Sequence, residues 1–239
     1  MIKLAPIVAI DVADLTQVTI LLKELSVAPR PIIKIGMELF YHFGPALVRQ
    51  VQQAGFAVFL DLKLHDIPNT VERAMKVIGA LGVQFTTIHA AGGLEMLTAG
   101  KRGLIAGAQS VGAAPARLLA ITQLTSIDEQ ILHEQQHVSL SLGESVQEYA
   151  RLSQSAGLAG VVCSAQEVSL IRPVVDASFL CITPGIRPLN AKQDDQKRVV
   201  TPAQARQLST NGIVVGRPIT QAKNAQRAYQ QIAAEFMEE

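Results

Sequence analysis

The segment Asp61-Leu62-Lys63-Leu64-His65-Asp66-Ile67-Pro68-Asn69-Thr70 sets two carboxylates around one ammonium within six residues. It follows an apolar run, residues 55–60, that reads as a buried strand. Burying unpaired charge is expensive, so the cluster is either a mutually neutralising site or a solvated loop. If the strand continues, Asp61 and Lys63 point to the same face. Lys34 stands in the preceding apolar run, Ile32-Ile33-Lys34-Ile35. Neighbouring strands lie ~4.8 Å apart, so Lys34, Asp61 and Lys63 form a row of alternating sign, with Asp66 available beyond it. Each charge then offsets its neighbours, which is how charges persist in a partly dry site. A carboxylate beside a lysine favours the ammonium over the free amine. Lys63 therefore reads as a general acid, not as a Schiff-base nucleophile.

Eight short apolar runs, each followed by a helix-like stretch, supply the scaffold. The strands are expected at 7–10, 32–35, 57–60, 85–88, 118–121, 160–163, 179–182 and 212–215. Helices are expected from Asp14, an N-cap type residue, to Leu25, over 45–54, from Pro68 onward, over 144–154, and in a closing stretch to about Phe236. Pro68 suits a first helical turn, where its missing N–H is no loss. Alternating strands and helices point to a parallel α/β sheet, and eight units in 239 residues to a (β/α)₈ TIM barrel forming a single domain. An open doubly wound sheet is the rival, but Asp11-Val12-Ala13-Asp14 lacks the glycine fingerprint that fold carries after its first strand. The strand ends hold the polar groups: Asp11, Lys34, Asp61, Lys63, His89, Thr122, Thr183 and Arg217. In a barrel these share the C-terminal rim, where active sites sit.

The loops after strands seven and eight are where such barrels often hold phosphate. Here they carry Thr183-Pro184-Gly185-Ile186-Arg187-Pro188, then Gln196-Lys197-Arg198, and Gly216-Arg217-Pro218-Ile219. Glycine followed by arginine at a helix start offers backbone N–H groups and a guanidinium fork to an anion. The long stretch before Thr201 reads as a lid. Thr125-Ser126, after strand five, could bond a polar ring or cap the helix that Ile127-Asp128-Glu129 begins. His65 and His89 are read as packing or contact residues without a fixed role.

A net charge of +1 argues against a general nucleic-acid or membrane-surface binder. Hydrophobic content of 49% against 17% charged supports a large core rather than disorder. The cysteines Cys163 and Cys181 have neither metal-ligand nor redox spacing and read as buried thiols. The first residues lack the apolar core of a signal peptide, and no run approaches the ~18 residues of a membrane span. A cytoplasmic protein is the expectation.

These motifs resemble the orotidine 5'-phosphate decarboxylase family over nearly the whole chain. The anchors are Asp11, Lys34, the Asp61-x-Lys63-x-x-Asp66-Ile67-Pro68-Asn69-Thr70 block, Leu124-Thr125-Ser126, and the segments holding Arg187, Gln196, Gly216 and Arg217. The resemblance implies cofactor-free, metal-free decarboxylation of orotidine 5'-phosphate to UMP. Asp61 would sit against the substrate carboxylate and Lys63 would protonate C6. Lys34 and Asp11 would contact the ribose. Asp66 would cross a homodimer interface into the partner's site, with Thr70 beside the sugar. Thr125 and Ser126 would meet the pyrimidine, and Arg187, Gln196, Gly216 and Arg217 the 5'-phosphate.

Two rivals stay open at this point. A Mg²⁺-dependent sugar-phosphate decarboxylase or aldolase of the same barrel superfamily shares an Asp-x-Lys-x-x-Asp block. Its family carries a glutamate at the strand-two rim, where Lys34 would repel the metal. A non-catalytic nucleotide-binding barrel would have no need for a lysine between carboxylates.

Overall fold

In a computed structural model, residues 2–188 and 199–238 are described. The chain alternates β1 (Ile7–Ile10), α1 (Leu15–Glu24), β2 (Ile32–Gly36), α2 (Met37–Gln53), β3 (Val58–Leu64), α3 (Pro68–Gly79), β4 (Phe85–His89) and α4 (Gly93–Ser110). It continues through β5 (Arg117–Ile121), α5 (Leu142–Ser155), β6 (Gly160–Val162), α6 (Val168–Ile171), β7 (Leu180–Thr183), α7 (Pro202–Gln207), β8 (Gly212–Val215), α8 (Arg217–Thr220) and α9 (Ala225–Met237). Every strand pairs in parallel with its sequence neighbours, and β8 returns to β1, so the sheet closes into a (β/α)₈ barrel.

The apolar runs form strands because both of their faces are covered. Ile7, Ala9, Ile32, Phe59, Phe85, Leu119, Leu180, Ile182 and Val214 fill the barrel interior. A larger cluster, including Val8, Ile10, Ile33, Ile35 and Leu60, seals the strands against the helices. A parallel sheet buried on both sides requires this near-continuous hydrophobicity. Ala9, Lys34 and Phe59 are in register across three strands. Since Ala9 and Phe59 belong to the interior set, Lys34 stands on the same inward row, and Asp61 lies one pleat above Phe59.

Local chemistry sets the helix starts. The Asp14 carboxylate accepts from Gln17 N at 2.9 Å, and Pro68 occupies the first turn of α3. Ser141 and Glu144 form a capping box for α5, as Thr201 and Gln204 do for α7. The expected helix beginning at Pro45 is borne out, and a preceding helical stretch was not anticipated. Helical structure begins at Met37 and breaks at Gly44, where φ is 61° and ψ is −157°. Gly44-Pro45 is therefore a true helix start, set behind a shorter helical stretch from Met37. The polar stretch after β5 holds one π-helical turn, Ile131–Gln135. Helices α3 and α4 touch backbone to backbone: a Cβ at Gly103 would lie 2.0 Å from Glu72 O, and one at Gly107 2.0 Å from Lys76 O. Cys163 and Cys181 are free and buried, as expected. Among the described residues no helix is long and apolar enough to cross a membrane.

Candidate active site

The C-terminal rim of β2 and β3 brings Lys34, Asp61 and Lys63 together. Asp61 Oδ2 lies 3.2 Å from Lys34 Nζ and 2.9 Å from Lys63 Nζ. Its other oxygen, Oδ1, accepts from the Thr87 hydroxyl at 2.9 Å. Asp61 is only 7% exposed, so both oxygens are satisfied in a nearly dry setting, as a buried carboxylate needs. The alternating row is therefore real. Burial pushes the Asp61 carboxyl up, but the Lys34 and Lys63 ammoniums and the hydrogen bonds from Lys63 and Thr87 hold it below the ordinary carboxylate value.

Lys63 does not reach Asp61 by simple pleat alternation. Its φ is 51°, left-handed for a residue with a Cβ, a conformation costing about 1–2 kcal/mol. The β3–β4 register shifts there: Leu60 pairs with Thr86 and Leu64 with Ile88, so four steps on β3 face two on β4. Such irregularities re-aim side chains beside active sites. The Lys63 N–H donates to Thr87 Oγ1 at 2.9 Å.

The row opens into a cavity of about 470 Å³, within the range of small-molecule sites. Asp11, Lys34, Asp61, Lys63, Thr125, Arg187, Gly216 and Arg217 all line it. Among the described residues four cations thus face two carboxylates, which favours an anionic ligand. Gly36 borders this corner, where a Cβ would make ordinary contact with Asp11 Oδ1 at 3.4 Å and Lys34 Nζ at 3.5 Å.

Other expected residues stand elsewhere. Asp66, Thr70 and Ser126 are exposed and absent from the cavity wall. Asp66 Oδ1 accepts from Ile67 N at 2.6 Å. In the stretch after β5, Asp128 Oδ1 accepts from Ile131 N at 3.0 Å, ahead of the π-helical turn. Gln196, with Lys197 and Arg198, lies outside the described residues. His65 and His89 stack on each other, ring centroids 5.5 Å apart and 30° between planes. Burial, then the His65 ring and the Lys63 ammonium, hold His89 below the ordinary imidazole value, with Asp61 opposing.

Two contributors escape a reading of the chain alone. Gln123 is buried in the cavity wall and donates to Ser145 Oγ at 3.1 Å. Thr87 holds Asp61 and Lys63 from β4. Its signal is period two: Phe85 faces the barrel interior, so Thr87 does as well.

A closed (β/α)₈ barrel with this charge row and an arginine-lined cavity at its C-terminal rim is the architecture of a TIM-barrel enzyme built for an anionic substrate. The chain belongs to the orotidine 5'-phosphate decarboxylase / HUMPS family, whose model matches residues 5–232. It is 53% identical over 230 residues to the orotidine 5'-phosphate decarboxylase of Lactiplantibacillus plantarum, covering 96% of this chain and 97% of that one. It is 49% identical to the Enterococcus faecalis protein of the same name, covering 98% of each. The crystal structure of orotidine 5'-phosphate decarboxylase from Lactobacillus acidophilus superposes with a TM-score of 0.85 at 40% identity, covering 97% of this chain and 99% of that one. The expected barrel and family are both borne out.

Proposed function

We propose that this chain is a single-domain, cofactor-independent decarboxylase that converts orotidine 5'-phosphate to UMP in pyrimidine biosynthesis. The observation that carries the proposal is the Asp61 carboxylate oxygen shared by two ammoniums at the mouth of an arginine-lined cavity. The named relatives support the same reaction.

The C6 carboxylate of the substrate lies against Asp61, and like charges in a dry site disfavour that ground state. As neutral CO₂ departs, the repulsion is relieved and the Lys63 ammonium faces the developing charge, so stabilisation concentrates in the transition state. The C6–carboxyl bond breaks, its electron pair stays on C6, and Lys63 Nζ delivers the proton. Lys63 regains its proton from water after product leaves. Lys34 holds Asp61 in the row and, with Asp11, meets the ribose. Thr125 and Ser126 meet the pyrimidine. Arg187, Gln196, Gly216 and Arg217 bind the 5'-phosphate, and this remote binding supports the chemistry at C6.

On this reading the enzyme is cytoplasmic and a homodimer, with Asp66 and Thr70 acting in the partner's site. Both are exposed in one copy. Ile67, next to Asp66 in the chain, is an exposed apolar residue, as are Met37 and Leu94, at 66%, 43% and 49% accessible. They stand where α2, α3 and α4 begin, after three adjacent strands, as an interface patch would.

The test is the loss of orotidine 5'-phosphate absorbance with the wild-type protein in EDTA. The expected result is UMP formed at a rate that chelation leaves unchanged. Activity abolished by EDTA would favour the Mg²⁺-dependent sugar-phosphate enzymes, and nucleotide binding without turnover a non-catalytic barrel. Lys34 supports the first outcome, since its ammonium occupies the side of Asp61 where a cation would bind.

A further inference from the structure

Lys63 carries the proton in the mechanism above, yet its backbone adopts a conformation that residues with a Cβ avoid. Some contact must hold it there. The normal ladder between β3 and β4 is interrupted between Leu60 and Leu64, so the strand pairing that would fix the Lys63 N–H is missing. One hydroxyl replaces it. Thr87 Oγ1 accepts from Lys63 N at 2.9 Å and donates to Asp61 Oδ1 at 2.9 Å. Thr87 is fully buried, and its β-branched side chain has little freedom about χ1. It does not line the cavity, so it acts on the reacting groups only through others.

We propose that Thr87 is a positioning residue: its single hydroxyl locks the left-handed turn at Lys63 and turns Asp61 so that one carboxylate oxygen serves both ammoniums. The donor of the hydroxyl is committed to Asp61 Oδ1, and its lone pair to the Lys63 amide. Rotation of Asp61 would break the first bond, and relaxation of Lys63 to an extended backbone would break the second. The role rests on the decarboxylase reading for its kinetic consequence but not for its geometry.

The test compares Thr87→Val, which keeps the branched shape and loses the hydroxyl, with Thr87→Ser, which keeps the hydroxyl. Thr87→Val is expected to lower kcat about 10- to 100-fold, the range for losing a buried hydrogen bond to a charged group. Its KM should stay within about threefold, because the phosphate grip is remote. Thr87→Ser should remain within about threefold of wild type in both. The acid limb of the Thr87→Val pH profile should move to higher pH. The Thr87 bond is one of the groups holding Asp61 low, with Lys34 from β2 and Lys63 from β3, while His89 and His65 stand beyond from β4 and the β3 end. Without substrate, hydrogen exchange at the Lys63 amide should quicken in Thr87→Val and not in Thr87→Ser. A Thr87→Val enzyme with wild-type kcat, acid limb and Lys63 exchange overturns the proposal. So does a Thr87→Ser enzyme as impaired as Thr87→Val. A wild-type protein that fails to decarboxylate orotidine 5'-phosphate counts against the function alone, since the exchange measurement still decides the role of Thr87.

Discussion

Lys63→Ala is expected to turn over orotidine 5'-phosphate about 10³- to 10⁴-fold more slowly than the wild type, the upper range for loss of a general acid. Its affinity for UMP should change by less than about tenfold. On the proposed mechanism the two effects separate because the lysine faces the reacting carbon, whereas UMP has no carboxyl group there. On the proposed function the nucleotide is gripped instead by Arg187 and Arg217, which line the cavity. Lys63→Arg sharpens the test. A guanidinium keeps a positive partner beside Asp61 but does not release its proton, so it should be nearly as slow as alanine. Steady-state assays with titration calorimetry of UMP read both quantities. An arginine variant with ordinary turnover would show that Lys63 supplies charge alone.

Arg217→Ala should raise KM for orotidine 5'-phosphate about 100-fold, the scale of a charge-assisted hydrogen bond lost from a phosphate. Arg217 lies at the start of α8, after β8, and lines the same cavity as the charge row. Arg217→Lys should fall between wild type and alanine, because an ammonium keeps the charge and loses the planar fork. Orotidine without its phosphate gives the control: its slow turnover should be the same in wild type and Arg217→Ala. An unchanged KM for the phosphorylated substrate would remove Arg217 from the phosphate site.

The barrel was legible because a closed parallel sheet leaves its mark along the chain. Each strand must be apolar on both faces, and each must end at the functional rim, so Asp11, Lys34 and Asp61 stand out at the ends of apolar runs. The charge row was legible for a second reason, since opposite charges on adjacent strands can only be buried together. The backbone of Lys63 was hidden. Nothing in Asp-Leu-Lys-Leu signals a left-handed residue, and the strand pairing that creates it is long-range. Thr87 was hidden differently: a β-branched residue within a strand looks like any other until the shift opposite it frees an amide. The Gly44-Pro45 signal marked a real helix start, and only the short helical stretch from Met37 before it went unread. Asp66 and Thr70 have types and spacing that suit chemistry, yet both are exposed, and the role proposed for them rests on a second chain.

The most direct measurement is a crystal structure of the protein with UMP bound. The expected result is C6 of the pyrimidine about 3–3.5 Å from Lys63 Nζ, the reach of a reactive contact. The phosphate should lie against Arg187 and Arg217, with Asp66 and Thr70 of the partner subunit at the ribose. A nucleotide held at the opposite end of the barrel, or a pyrimidine whose C6 faces away from Lys63, would contradict the account.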